Sequence, residues 1–200
     1  MATILAGCPV VEVPAGEPHF RASFPGVVLL VVHEGFVVVR STPGGLARSI
    51  VTAEAGPGRI LLPPADEEVL FALTPSRLIA LDAGARERVL DAPDAAHALV
   101  ESLAATLARN QEALANFAHT RHVERVRRKL RQLANSYGRV AHDGIRIDFP
   151  VSHTLLADMI GSSRETVTRA LDELQRTGFV ARRGHTYRLL VSPEQVVEPM

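Results

Sequence analysis

The stretch that most constrains the fold covers residues 152–180 and reads SHTLLADMIGSSRETVTRALDELQRTGFV. Apolar residues recur at helical spacing on both sides of Gly161, which predicts two helices joined by a turn that glycine permits. The first set is Leu156, Ala157 and Ile160, and the second is Val167, Leu171 and Leu174. Ser162 or Ser163 would cap the second helix. The pattern indicates a helix-turn-helix.

Polar residues of the second helix stand where this motif reads DNA. The N-terminal part of that helix enters the major groove, where Arg bonds guanine O6 and N7 and Glu accepts from cytosine N4. We therefore expect Arg164 to bridge a guanine, Glu165 to accept from a cytosine, and Arg169 to reach a second guanine or a phosphate. Glu165 has a competing structural role, because Ser162 and Glu165 form the S-x-x-E pattern of a capping box.

A resemblance to a known family is carried by the run SRETVTRAL, with GS ahead of it and LQRTGFV behind it. These residues are similar to the DNA-binding signature of the Crp/Fnr regulators, the cyclic-AMP receptor protein family. The resemblance implies an α+β chain with an N-terminal cyclic-nucleotide-binding-like β-sandwich or β-barrel, a long dimerisation helix and a C-terminal winged helix-turn-helix. It implies a homodimeric transcription regulator that binds double-stranded DNA at an inverted repeat of TGTGA-like half-sites. It also implies contact with RNA polymerase.

Composition and motif content exclude several other classes of protein. With 46% apolar residues, the chain can form packed cores. It has no long apolar run and no basic-then-apolar N-terminus, so we expect a cytoplasmic protein without a membrane span or signal peptide. The single cysteine, Cys8, excludes an internal disulfide and an iron–sulfur cluster. Phosphate-loop, dinucleotide-binding, zinc-protease and hydrolase motifs are absent, so we expect neither enzymatic activity nor a cofactor.

Charge is divided unequally along the chain, although the formal net charge is zero. Residues 121–190 carry 14 Lys or Arg and 7 Asp or Glu, whereas the other residues carry 8 and 15. A basic segment favours phosphate contacts, and an acidic one avoids nonspecific contact with the same duplex. The division favours a DNA-binding domain over residues 121–200, although two ordinarily charged surfaces would give the same counts.

Short apolar runs rich in Val, Ile, Leu and Phe fill residues 10–82. Pro-Gly and Gly-Gly turns separate them, including one at residues 43–45. This alternation of short strands and turns predicts a small β-sandwich or β-barrel. We assign it to a domain over residues 1–93.

The stretch that would bind a nucleotide departs from the family pattern. For the cyclic-nucleotide-binding members, the resemblance implies a short helix, a Gly-Glu pair for the ribose and an Arg for the phosphate. In this chain the corresponding stretch, residues 58–73, is shorter than that of the family's nucleotide-binding members and lacks the Gly-Glu pair. Pro63 and Pro64 have no N–H groups, and three acids at residues 66–68 would repel a phosphate. We therefore expect regulation without cyclic AMP or cyclic GMP.

Four residues remain as candidates for an effector site. Arg59 and Arg77 could pair with an anion, and Asn110 and Gln111 fall where the family's ligand-binding members carry polar contacts to the nucleotide. An alternative is a regulator of the same fold that responds to haem, a gas or another small molecule. Its candidate axial ligands are His19, His33 and His97.

Residues 94–118 contain no Pro or Gly and predict one long helix. Six residues spaced 3, 4, 3, 4 and 3 apart form what we call the seam: Val100, Leu103, Leu107, Asn110, Leu114 and Phe117. This spacing is typical of a coiled coil, although an amphipathic helix lying on its own β-domain would show it too. The resemblance implies a dimerisation helix and hinge over residues 94–120, in which Asn110 would set the register.

The C-terminal domain also predicts a wing. A strand follows Gly144, and the runs FVARR and TYRLLV around Gly184 and His185 indicate a hairpin. His119 and His122 are spaced for a shared metal but lack a third ligand, so we expect solvated histidines and no metal site. We expect contacts to the DNA backbone from Ser152, Ser162, Thr168, Arg182 and Arg183.

Overall fold

The computed structural model describes residues 5, 7–42 and 49–190, and the predicted turn at residues 43–45 lies outside these ranges. The chain divides into two compact units, Met1–Gln111 and Glu112–Met200. The first unit is built mainly of strands, and the second combines helices with a small sheet. The α+β class is confirmed. The long helix, predicted as a part of its own, contributes residues to both units.

Eight strands form two antiparallel sheets in the first unit. They are β1 (Val10–Val13), β2 (Pro18–His19), β3 (Val27–Glu34), β4 (Val37–Ser41), β5 (Ile50–Ala55), β6 (Ile60–Leu61), β7 (Glu68–Ala72) and β8 (Ser76–Asp82). One sheet has the order β1-β8-β3-β6 and the other β2-β7-β4-β5. The predicted strands are confirmed, whereas the two-residue β2 is too short for sequence periodicity to mark it.

The two sheets share one apolar core. Leu30 and Leu78 come from the first sheet, Val37 and Leu70 come from the second, and all four are fully buried. Burying a side chain of this size stabilises the fold by roughly 1.5–3 kcal/mol. The N-terminal domain is therefore a β-sandwich, one of the two predicted architectures.

A second apolar layer covers the other face of the β1-β8-β3-β6 sheet. Helix α1 (Ala83–Leu90) follows β8 directly, and the Asp82 carboxylate caps it by accepting from the Ala85 N–H at 2.7 Å. The layer combines α1, the start of the following helix α2 (Pro93–Asn116), and the sheet: Leu29, Ile60, Leu81, Ala85, Val89 and Ala95. Because β3 is covered on both faces, its sequence is continuously apolar rather than alternating.

The helix predicted over residues 94–118 is confirmed as α2, which ends at Asn116, and the large apolar seam residues on it face solvent. The exposed fractions are 61% for Val100, 60% for Leu107 and 70% for Leu114. Leu103 is nearly half exposed. Within the first unit, Val100, Leu103 and Leu107 therefore do not pack on the β-sandwich, which excludes packing on that domain as the explanation of their spacing. Of the helices in the described ranges, none is long and apolar enough to cross a membrane.

The second unit is a winged helix-turn-helix, as predicted. Its elements are α3 (His122–Tyr137), β9 (Arg139–Ala141), β10 (Gly144–Ile147), α4 (His153–Ile160), α5 (Arg164–Arg176), β11 (Val180–Arg183) and β12 (Thr186–Leu189). The strands form a sheet in the order β11-β12-β10-β9. Strand β9 was not predicted. The residues predicted to face inward are all buried: Leu156, Ala157, Ile160, Val167, Leu171 and Leu174.

The glycines at two turns of this unit generate a test of the fold. A Cβ on Gly144, at φ +131°, would lie 1.9 Å from the Leu189 carbonyl oxygen, whereas a Cβ on Gly184, at φ +62°, would meet nothing within 4 Å. We expect Gly184→Ala to cost about 1–2 kcal/mol for its left-handed backbone alone. Gly144→Ala should cost more, because a strand backbone must also move.

Tyrosine fluorescence during urea unfolding measures this difference selectively. The chain has no Trp, and its two tyrosines, Tyr137 and Tyr187, both lie in the second unit. Equal unfolding midpoints for Gly144→Ala and Gly184→Ala would contradict the close approach of Gly144 to β12.

Candidate nucleic-acid interface

The turn between α4 and α5 has the geometry that the sequence predicts. Ser152 caps α4, and its hydroxyl oxygen accepts from the Leu155 N–H at 3.0 Å. Gly161 ends α4 in the left-handed conformation, at φ 61° and ψ 46°, which glycine adopts without strain. Ser163 caps α5 and accepts from the Thr166 N–H at 3.1 Å. Each helix therefore begins with a serine that satisfies one of its exposed N–H groups.

The capping box predicted for Ser162 and Glu165 is wrong, because the cap lies one residue later. The Ser162 N–H, which Glu165 would have to accept, instead donates to the Ala157 carbonyl oxygen at 3.0 Å. Ser162 is buried, and its hydroxyl lies 3.1 Å from His122 Nδ1. The sequence predicts that the Ser162 hydroxyl contacts a phosphate, whereas in the structure this hydroxyl lies beside His122. His122, expected to be solvated, has a partner within the domain.

The first two turns of α5 present polar side chains to solvent. Arg164, Glu165 and Arg169 are exposed. The opposite face of the helix is buried through Val167 and Leu171. Because that face is packed, α5 cannot rotate on the domain, and the three side chains predicted to read bases share its outer surface.

The wing is bound to the residues that precede α4. Arg182 and Arg183 are exposed at the end of β11, and the next residue, Gly184, takes φ 62°. The Arg182 Nε–H donates to the Gly184 carbonyl oxygen at 2.6 Å. The Val151 N–H donates to the His185 carbonyl oxygen at 2.8 Å. This bond holds the wing turn beside the start of α4.

His153, which sequence reasoning misses, joins α4 to α5. Its Nδ1 lies 2.8 Å from Thr168 Oγ1. The same hydroxyl donates to the Arg164 carbonyl oxygen at 2.9 Å. Thr168, a predicted phosphate contact, therefore has two partners within the domain. A histidine after a cap serine shows no distinctive spacing in the sequence, so only the packing of the two helices reveals its role.

The surroundings of His153 disfavour its charged form. Burial is the main cause that lowers its pKa, followed by the positive charges of Arg182 and Arg164. His185 lowers the same pKa, and Asp172 opposes these effects. At neutral pH the protein therefore holds a neutral histidine within a cluster of basic side chains.

The segment after α2 is held against the turn of the helix-turn-helix. Arg125 donates from Nε to the His119 carbonyl oxygen at 2.6 Å and from Nη2 to that of Phe117 at 2.8 Å. Its guanidinium lies over the Phe117 ring, 5.8 Å from the centroid. A Cβ on Gly161 would come within 2.6 Å of Phe117 Cε1. Glycine is therefore required at this turn both for backbone conformation and for space.

The four effector candidates lie on three separate parts of the first unit. Arg77 is on β8 between two glutamates, since Glu12 and Glu34 are its cross-strand neighbours. Its Nη1–H donates to Glu34 Oε1 at 3.2 Å. Arg59 is half-buried in the turn before β6, on the other side of β3. The other two candidates, Asn110 and Gln111, are exposed on α2. Arg77 thus belongs to a surface row of alternating charge rather than to an anion pocket.

The three candidate haem ligands are also on separate elements. His33 is about half exposed at the end of β3, beside Glu34. His97 is 77% exposed on α2, and His19 on β2 lies against the Phe24 ring. Within the described ranges, no three His, Cys, Asp or Glu side chains are grouped so that they could hold a metal ion.

Comparison with known proteins agrees with the geometry of the second unit. Residues 124–195 match the family model described as the Crp-like helix-turn-helix domain. The chain is 28% identical over 182 residues to the CRP-like cAMP-activated global transcriptional regulator of Mycobacterium tuberculosis, covering 87% of this chain and 80% of that protein. It is 32% identical over 111 residues to the global nitrogen regulator of Synechocystis sp., covering 55% of this chain and 49% of that protein.

The fold is similar to the crystal structure of a transcriptional regulator of the CRP/FNR family from Thermus thermophilus. The TM-score is 0.69 at 21% identity, and the match covers 94% of this chain and 96% of that one. These relatives are transcription regulators rather than enzymes. The helix-turn-helix and its wing, over residues 124–195, thus form a Crp-like helix-turn-helix domain, and the chain as a whole is similar to DNA-binding transcription regulators of the Crp/Fnr family.

Proposed function

We propose that this regulator binds an inverted-repeat operator as a homodimer and does so without cyclic AMP. The observation that carries the proposal is the start of α5, where exposed Arg164, Glu165 and Arg169 stand on a capped helix beside a basic wing. TGTGA-like half-sites follow from the resemblance of Arg-Glu-x-x-x-Arg to the pattern in cyclic-AMP receptor protein. Contact with RNA polymerase stays a prediction from the same resemblance.

The first turn of α5 carries the base readout in this proposal. The planar guanidinium of Arg164 can donate two parallel hydrogen bonds to guanine O6 and N7, and such a pair discriminates against a wrong base by roughly 1–3 kcal/mol. Glu165 can only accept when ionised, which suits the cytosine amino group. Because Ser163 rather than Ser162 caps the helix, the cap does not depend on Glu165.

Phosphate contacts come from residues that still have a donor available. Arg182 and Arg183 supply exposed guanidinium groups on the wing. The Ser152 oxygen accepts the Leu155 N–H, so its O–H proton remains to be donated to a phosphate. The Thr168 hydroxyl has one proton and donates it to the Arg164 carbonyl oxygen, so none remains for a phosphate. We therefore retain Ser152, Arg182 and Arg183 as the backbone contacts.

The exposed seam of α2 supports the homodimer. A row of large apolar side chains in water marks an interaction site, and the coiled-coil spacing suits a second copy of the same helix. In a two-fold pair each seam residue lies close to its own copy, so Asn110 would pair with Asn110 and fix the register. The two copies of α5 would then read half-sites about one helical turn apart, roughly 34–36 Å.

The turn before β7 offers a carboxylate rather than hydrogen-bond donors to a nucleotide phosphate. This supports DNA binding without a cyclic nucleotide. The connection between β6 and β7, residues 62–67, contains no helix. The Ala65 N–H, a donor that a phosphate would need, donates to Glu68 Oε2 at 3.0 Å. The Thr52 hydroxyl donates to the other oxygen of that carboxylate at 2.7 Å. An anionic ligand would have to displace these bonds against a negative charge, so we propose a difference from the cAMP-activated relative in Mycobacterium tuberculosis.

We expect Arg164→Ala to weaken binding to the operator by about 1–3 kcal/mol and binding to random duplex much less, because it removes a base contact. Glu165→Gln should relax the preference at one base pair and leave the melting temperature unchanged. The operator is first selected from a random DNA pool. Affinities for operator and scrambled duplex are then measured by fluorescence anisotropy at one fixed salt concentration.

Arg183→Ala is the matched control for Arg164→Ala. It removes an exposed arginine from the wing, so it should weaken binding to both duplexes alike and reduce the salt slope by about one. If Arg164→Ala behaves in the same way on both duplexes, the base contact is disproved.

Leu107→Glu should give monomers, because two like charges would meet in the apolar seam of the dimer. The matched control is Ala108→Glu, which adds the same charge one residue away at an exposed position outside the seam. Sedimentation velocity measures the assembly, and operator binding should fall only for Leu107→Glu. A Leu107→Glu protein that sediments as a dimer would show that α2 is not the interface.

Calorimetry should detect no binding of cyclic AMP or cyclic GMP, and neither nucleotide should change the affinity for the operator. The physical reason is the set of carboxylates at Glu68 and around Arg77. A micromolar dissociation constant together with tighter DNA binding would contradict this prediction. Arg77→Ala and Asn110→Ala would then identify the residues that bind the nucleotide.

A further inference from the structure

The hydrogen bonds of Thr168 determine which nitrogen of His153 carries the proton. A hydroxyl has one proton, and the Thr168 hydroxyl gives it to the Arg164 carbonyl oxygen, which can only accept. Thr168 Oγ1 must therefore accept from His153 Nδ1, 2.8 Å away. In the neutral ring the N–H is on Nδ1, and Nε2 holds a lone pair.

Nε2 is the site at which His153 can take up a second proton. This atom is buried and has no hydrogen-bond partner among the described residues. The charged groups that act on the ring come from the two elements beside it: Arg164 and Asp172 on α5, and Arg182 and His185 on the wing. Arginines outnumber the single carboxylate, so a positive charge on His153 is unfavourable while the surface is empty.

The phosphates of bound DNA would make a positive charge on the His153 ring more favourable. Arg164 and Arg182 are on the surface that we propose to face DNA, and the negative charge of nearby phosphates would offset their effect on the ring. We propose that His153 is a further DNA-binding residue, which takes up a proton from solvent at Nε2 as the domain binds DNA and so adds a positive charge beneath the interface. This inference rests on the proposed function, because it requires the start of α5 and the wing to approach the duplex.

The sign of the pH dependence follows from the two states. Above the pKa of His153 in the complex, the ring is neutral with and without DNA, and its contribution to affinity is constant. As the pH falls through that pKa, the complex binds a proton that the free protein does not, so affinity for DNA rises. It levels off only below the pKa of the free protein, which burial and the arginines lower.

The experiment measures operator affinity of the full chain between about pH 6 and pH 8 at constant ionic strength, the range in which histidine titrates. We expect the wild-type affinity to rise as the pH falls, by at most about tenfold per pH unit for each proton taken up. His153→Gln should lose this part of the slope. The control His142→Gln removes a histidine whose side chain is 93% exposed in the turn between β9 and β10, and it should keep the wild-type slope.

A second measurement uses the wild-type protein and does not depend on the folding of a variant. NMR signals of the His153 ring, followed against pH, should give a higher pKa with the operator duplex than without it. Equal slopes for wild type and His153→Gln, or a ring pKa that DNA leaves unchanged, would overturn the role of His153. Arg164→Ala binding the operator as tightly as wild type would instead overturn the interface itself.

Discussion

The left-handed turn at Gly161 is the constraint on which the DNA-binding unit depends. It ends α4, lets Ser163 cap α5 two residues later, and leaves room for the Phe117 ring. Any side chain here would strain the backbone and displace the ring, which Arg125 holds by two hydrogen bonds to the neighbouring carbonyls. Gly161 thus allows both the backbone turn between the two helices and the close approach of Phe117.

Beneath the exposed arginines lies a layer of polar side chains that bond to one another. Ser162 meets His122, and His153 meets Thr168, so α3, α4 and α5 are joined close to the surface proposed to face DNA. Such contacts position the outer side chains, because a base-reading arginine is useful only on a helix that does not shift. The same layer places a titratable ring within reach of the field of the phosphates.

The β-sandwich is part of a fold similar to that of a solved CRP/FNR regulator, and a carboxylate lies at the turn that precedes β7. Its two sheets enclose one core, and the helices that follow cover one outer face. At the start of β7, the Glu68 carboxylate accepts hydrogen bonds from the Ala65 N–H and the Thr52 hydroxyl. Helix α2 begins in this unit, and its exposed apolar residues are the surface through which we propose that two copies join.

The sequence by itself determined the strands of the sandwich, the long helix, the helix-turn-helix and the outward position of Arg164, Glu165 and Arg169. These follow from local periodicity and from glycine, which record the buried face of each element. Tertiary structure alone decided that Ser163 and not Ser162 is the cap, that Arg77 stands between two glutamates, and that His153 joins two helices. Contacts between residues distant along the chain accompany these arrangements: Ser162 lies beside His122 at a separation of 40 residues, Arg77 beside Glu34 at 43 and His153 beside Thr168 at 15. The spacing of residues within one element does not predict such contacts, because only the packing of different elements brings the partners together.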